Sequence, residues 1–139
     1  MLVRIVGGLL TALLLVDSAG AQSKPVKARE PVSSGRPLSE WVKDLQALAP
    51  QTRNAAAYEI AGMGPAAVAA VPALIATLDD PIAAVRFPAI IALLEIGPAA
   101  KAAVPRLQQM EEEEINDEIA AAARRALRRI QADSTRPPP

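Results

Sequence analysis

Two clusters near the C-terminal end hold the residues whose types and spacing could do chemistry. Glu111 to Glu114 run consecutively and are followed by Asn116, Asp117 and Glu118. Carboxylates in such density could hold a hard cation. Calcium, however, needs several oxygens converging on one point, supplied by spaced Asp and Asn residues around a turn glycine. The run has neither the spacing nor the glycine, so it reads as a solvated loop whose last acids favour the start of the following helix. The second cluster is Arg124, Arg125, Arg128 and Arg129. On a helical wheel these arginines fall largely opposite Ile119, Ala122, Ala123, Ala126 and Ile130. They also lie in the C-terminal half of a helix whose start is acidic, where cations complement the helix dipole. They fit the polar outer face that a terminal structural repeat needs, and they are the best local candidate for an acidic partner.

Catalysis finds little support. The chain contains no His and no Cys, which removes the commonest general base, the commonest transition-metal ligand and thiolate chemistry. Glu59 and Glu95 are acids without a partner at helical spacing, and Ser39 and Thr77 have no imidazole to activate them. Ser39 suits the start of a helix better than a nucleophile. No glycine-rich phosphate loop is present. No catalytic residue, cofactor or metal is therefore expected. Lys plus Arg equals Asp plus Glu, 15 of each, so no overall charge draws the chain to nucleic acid or to an anionic membrane. Of the three aromatic residues, Trp41 sits at amphipathic spacing and is expected in the core. Tyr58 either packs with its hydroxyl at solvent or marks a binding surface.

The ends of the chain read as addresses and connectors. Residues 1–21 pair Arg4 with an apolar run from Ile5 to Val16 and a small-x-small site at Ala19-Gly20-Ala21, the pattern of a cleaved secretory signal. The run is shorter than the roughly 20 residues a membrane span needs. The protein is expected to be exported, periplasmic or secreted, with no stable span after cleavage. Residues 22–37 carry Pro25, Pro31, Pro37 and Gly35 without apolar periodicity and read as a flexible linker. Residues 132–139 end in Arg-Pro-Pro-Pro and read as a disordered tail.

The positioning elements come from a repeat. GPAAVAAVPAL at 64–74 returns as GPAAKAAVPRL at 97–107, a shift of 33 that also carries Arg53 onto Arg86. A fixed period in this range signals a solenoid. The same shift relates Trp41 to Leu74 and Leu45 to Leu78, so a diverged first unit precedes the two obvious ones. Beyond Met110 the register slips to 37, aligning Asp80-Pro81-Ile82-Ala83-Ala84 with Asp117-Glu118-Ile119-Ala120-Ala121, which reads as four residues inserted in or near the glutamates. Glycines at 64 and 97 suit helix stops in a left-handed conformation; Pro72 and Pro105 suit helix starts. Asp80 is expected to cap the helix behind it. Outer helices are predicted at about 38–48, 72–79 and 105–113, inner helices at about 50–62, 81–96 and 117–131. The composition agrees: 51% hydrophobic but 2% aromatic, much of it Ala, describes thin helices in close contact. Pro88 lies inside a predicted helix and should kink it at 84–88.

The pattern GPAA(V/K)AAVPxL followed by DDPIAAVRFPAIIALLEIG resembles the short bacterial HEAT-like repeats, including the PBS-lyase HEAT-like type, over roughly residues 38–131. The resemblance implies an all-α fold, a short right-handed solenoid of about three helical hairpins. It implies a protein-binding scaffold whose inner helices line a concave face, with Arg53, Tyr58 and Arg86 as candidate surface residues and an unidentified protein as partner. It also implies a turn Asp bonded to an inner-helix Arg along the stack. Asp80 and Arg86 match those positions in the middle unit; Arg53 matches in the first, where Ala49 replaces the acid. In the last unit Asp117 takes the acid's place, and the arginine position falls on Ala123, beside Arg124. The alternatives are an enzyme or enzyme accessory of the lyase-like class, or a self-associating structural protein. The N-terminal end would present Leu38, Val42 and Leu45 to a second copy if nothing covered them, and the oligomeric state is left open.

Overall fold

The computed structural model describes residues 29–132. The expected signal, residues 22–28 of the expected linker and all but the first residue of the expected tail lie outside the described residues.

Among the described residues, six α-helices form three antiparallel pairs. α1 (Leu38–Asp44) precedes α2 (Pro50–Gly62), α3 (Val71–Thr77) precedes α4 (Ala83–Ile96), and α5 (Val104–Glu113) precedes α6 (Asp117–Gln131). A 3₁₀ helix leads from each pair to the next, over Gly64–Ala70 and Gly97–Ala103. The doubled GPAA(V/K)AA is thus a complete connector: a stop, a tight turn of helix and a start. Its glycines are obligatory in backbone terms, with φ of +55° at Gly64 and +75° at Gly97, which side chains with a Cβ rarely adopt. The fold is all-α, and the three pairs stack as an α-solenoid.

The inner helices α2, α4 and α6 pack side by side, with α4 in the middle. Their contact faces are lined with alanine: Ala56 and Ala57, Ala89 and Ala92, Ala122, Ala123 and Ala126, all 2% exposed or less. Small side chains bring the helix axes close, and the larger Ile60, Ile90, Leu93 and Ile130 fill the space between inner and outer layers with Leu74, Leu78 and Leu107. Burial of each such Leu or Ile stabilises the stack by roughly 1.5–3 kcal/mol. Residues 83–113 are apolar enough, taken as one helical run, to cross a membrane, but half of the most apolar window is buried inside the fold. Burial on several sides accounts for that composition.

Three expectations are corrected. The first outer helix stops at Asp44 rather than near 48, and α4 starts at Ala83 rather than at 81, because Asp80 and Pro81 belong to the turn. Asp80 accepts from the Ile82 N–H at 2.9 Å, which closes the turn; the residue before α4 is Ile82, in an extended conformation. Pro88 does not interrupt α4, which runs unbroken from Ala83 to Ile96. Proline lacks the N–H that would bond the carbonyl four residues back. Here that carbonyl, Ala84 O, accepts instead from the side-chain amide of Asn54 on α2. The neighbouring helix supplies the donor that the proline removes.

The end of the expected linker is also folded. Val32–Ser33 (β1) and Arg36–Pro37 (β2) pair antiparallel. Ser34 and Gly35 turn the chain with φ of +49° and +75°, positive at both central residues as a two-residue hairpin turn requires. The hairpin lies over the first unit, where the Trp41 indole N–H donates to Ser33 O at 3.1 Å and the Arg36 guanidinium stands 4.0 Å from the Trp41 ring centre. Leu38, Trp41 and Leu45 are accordingly buried. Of the apolar residues expected at this end, Leu38 and Leu45 are thus buried within the chain itself and Val42 is partly buried.

Candidate functional site

The expected surface arginines Arg53 and Arg86 are drawn into the structure between units. Arg53, in the first turn of α2, donates from Nε and Nη2 to the two carboxylate oxygens of Asp80, at 2.6 and 3.1 Å. Its Nη1 donates to the carbonyls of Ala47 and Leu48, both at 2.9 Å. The planar guanidinium, with donors in a fixed fork, suits this double task. Both side chains are largely buried, 15% and 8% exposed. The Arg53 hydrogen bond holds the Asp80 carboxyl below the usual carboxylate range, against the opposing effect of burial.

Arg86 repeats the arrangement one unit later. Its Nη1 donates to Asp80 O and Pro81 O, at 2.9 and 3.3 Å, the same offsets that Arg53 has to Ala47 and Leu48. Its Nη2 meets Glu114 Oε1 at 3.1 Å. The acid of this second rung is therefore Glu114 and not Asp117. Glu114 also accepts from the Asn116 N–H, as Asp80 does from Ile82. This overturns the slip of 37: Asn116 precedes α6 as Ile82 precedes α4, 34 positions earlier. The same shift of 34 carries the buried Val85, Ala89 and Leu93 onto the buried Ile119, Ala123 and Leu127. One residue is inserted, not four: α5 is longer than α3, with 10 residues against 7, and its turn is shorter. The second rung holds by one bond, leaving Arg86 Nε without a partner among the described residues, where the first is bidentate.

What remains open to solvent on the inner helices is a different set. Tyr58 is half exposed. It lines a hollow of about 340 Å³ together with Asn54 on α2, Ala83, Ala84 and Phe87 on α4, and Asn116, Glu118 and Ile119 at the start of α6. The C-terminal arginines divide. Arg124 Nε pairs with Glu111 Oε1 at 2.7 Å, so the two charged clusters of the sequence partly neutralise each other. Arg129 folds back over the start of the second connector, its Nε 3.8 Å from where a Cβ on Gly97 would sit. Arg125 and Arg128 are exposed and form no ion pair among the described residues. The structure thus brings Tyr58 into a concave, mixed surface, keeps Arg125 and Arg128 as available charge, and spends Arg53, Arg86 and Arg124 on intramolecular bonds.

Sequence reasoning missed four participants. Phe87 and Asn54 are related by the repeat shift of 33, so the period applied to the neighbours of Tyr58 would have placed both on one row. Glu114 was hidden by the false register. Glu59, an isolated acid in sequence, accepts from the Ser33 and Ser34 hydroxyls and fastens the hairpin to α2. Those bonds, Ser33 first, hold its carboxyl below the usual range.

Nothing in this arrangement activates a nucleophile. No group of three or more acidic side chains converges on a metal position among the described residues. An open hollow lined by a half-exposed aromatic and by residues of all three inner helices is suited to docking. Residues 38–128 match the family model described as HEAT repeats. No curated protein and no solved structure matches the chain.

Proposed function

The chain belongs to the HEAT-repeat family, whose repeats generally mediate protein–protein interaction, and from that premise we propose that it is an exported, non-catalytic docking module whose inner helix face receives a protein partner. The observation that carries this reading is the exposed Tyr58 beside Phe87 over an open hollow of about 340 Å³, since half-exposed aromatics on rigid helices are the residues that anchor interfaces. Arg125 and Arg128 add a basic margin and favour a partner segment with acidic side chains there. The export half of the proposal rests on residues 1–21, and the finer kinship to the lyase-type HEAT-like repeats on GPAA(V/K)AAVPxL.

The test is a photoreactive amino acid at position 58, with cross-linking in the exported compartment. A discrete protein adduct that disappears in Arg125→Glu/Arg128→Glu, while circular dichroism stays helical, supports the module. Steady turnover of a small substrate by the purified protein would overturn it. A mature chain beginning at Gln22 supports export; a cytosolic chain still beginning at Met1 removes it.

A further inference from the structure

The repeat register lays the inner face out as a grid. α4 turns Ala84, Phe87, Ile91 and Leu94 toward solvent, at spacings of three, four and three, a single helical stripe. Moving back by 33 carries the last three of these onto Asn54, Tyr58 and Ala61 of α2. Moving forward by 34 carries the same three onto Ala121, Arg125 and Arg128 of α6. None of these positions is buried. α4 packs between α2 and α6, and the hollow at Tyr58 is lined by all three helices. Neighbouring helices stand about 8–10 Å apart, so α2 and α6 are roughly 16–20 Å apart across α4. That gap admits one more helix, about 10–12 Å wide with its side chains. The stripe on α4 is its floor, about 15 Å long, or three turns.

Floor and walls differ in chemistry. Phe87 and Leu94 are partly buried against the core and keep the rest of their surface open, and with Ile91 they make the floor apolar. The α2 wall carries no charge at its three positions. The α6 wall carries Arg125 and Arg128, one turn apart, exposed and without an ion pair among the described residues. Two acids border the trough and are likewise outside any ion pair there. Glu118 stands beside the hollow, two turns before Arg125, and Glu95 directly follows Leu94. The complementary surface is therefore apolar below and anionic on one flank, with no carboxylate at the Glu118 end.

On the premise that the inner face is the docking surface, we propose that its occupant is an acidic amphipathic helix of another protein. The helix lies along α4, with its apolar stripe on Phe87, Ile91 and Leu94 and two carboxylates, three or four residues apart, against Arg125 and Arg128. Anchors at that spacing are how a helix fills a groove. A second copy offers no such helix, because its run Glu111 to Glu114 closes α5, whose Leu107 and Met110 are buried in the core. A trough one helix wide also keeps a flat bilayer off its floor.

The probe is a labelled helix of about eighteen residues, five turns, with Leu on one face, Gln on the other and Glu only at two flank positions in one half. Binding is followed by fluorescence anisotropy on the whole chain. One counterpart carries Lys at the two Glu positions, and another has the same composition in scrambled order. The Glu helix should bind, and should weaken as salt rises. Arg125→Glu/Arg128→Glu should lose about tenfold or more in affinity for it and should bind the Lys helix better than the parent does. A merely structural role for the arginines would not exchange the preference. Leu94→Gln, which keeps the flank charges, should weaken the Glu helix as well. Lys101→Glu/Arg129→Glu alters the net charge equally but at the second connector, and at physiological salt it should leave binding nearly unchanged. The proposal fails if the Lys or scrambled peptide binds the parent equally, if reversing Arg125 and Arg128 has no effect, or if reversing Lys101 and Arg129 weakens binding as much. Dimers in sedimentation, or adsorption to anionic vesicles, that vanish in Arg125→Glu/Arg128→Glu would give the arginines to a second copy or to lipid and overturn it. The two readings separate cleanly. A protein adduct at position 58 without binding of the Glu helix keeps the docking face and removes this occupant, whereas neither adduct nor binding removes both.

Discussion

At the scale of single residues, the strongest coupling between units is Asp80 with Arg53. Asp80 is held on three sides, by two guanidinium nitrogens and the Ile82 N–H, and its carboxyl titrates below the usual range. A group whose pKa is depressed on folding contributes stability that is complete above its unfolded value, near 4, and is lost as pH falls through the folded value. Asp80→Asn should therefore lower the urea midpoint at pH 7, and the gap from the parent should narrow as pH drops below about 4. A gap that stays constant from neutral to acid pH would show that the ion pair contributes nothing. Glu59 follows the same sign, so the variant retains some acid sensitivity of its own. The ladder was half legible in sequence. Arg53, Arg86 and Asp80 were visible through the 33-residue shift, but Glu114 was not, since a one-residue insertion aligned the wrong acid.

At the scale of elements, the hairpin and α4 show opposite outcomes. The hairpin escaped sequence reading because its strands have two residues each, too short for alternation to register. Only Ser34-Gly35 hinted at the turn. Its attachment depends on tertiary contacts: Glu59 on α2, Trp41 on α1. Glu59→Gln should loosen it. Trp41 is the sole tryptophan, so its emission should shift to the red and its quenching by acrylamide rise, with helix content intact. Unchanged emission would mean that the serine–glutamate bonds do not hold the hairpin down. α4, by contrast, was legible in extent from its apolar run and its terminal Gly97. Pro88 signalled a kink, yet the donor that repairs the loss comes from Asn54, 34 residues earlier, and no local pattern announces it.

At the scale of the whole molecule, α4 packs on both neighbouring inner helices and couples the two ends. Ile90 is fully buried there. Ile90→Ala should cost about 2–5 kcal/mol, and the loss should appear equally in Trp41 fluorescence and in far-ultraviolet circular dichroism. In a repeat stack each unit is supported by its neighbours, so a defect in the middle lowers both ends together. A Trp41 transition left at the parental midpoint while the helical signal melts early would show that the first unit folds independently.

By itself the sequence determined the class of structure, the number of units and most helix boundaries. Those follow from local physics: glycine at positive φ, proline at helix starts, and apolar spacing at the helical period. The absence of His and Cys bounded the chemistry in the same way. Only the tertiary structure decided which charged groups are free. Arg53, Arg86 and Arg124 look like surface cations in one dimension and are occupied in three, whereas the apolar Leu48 and Ile115 stand in solvent. Accessibility depends on what the neighbouring unit brings to a position, and the register between units, here displaced by one residue, is set by packing across the stack rather than by adjacent side chains.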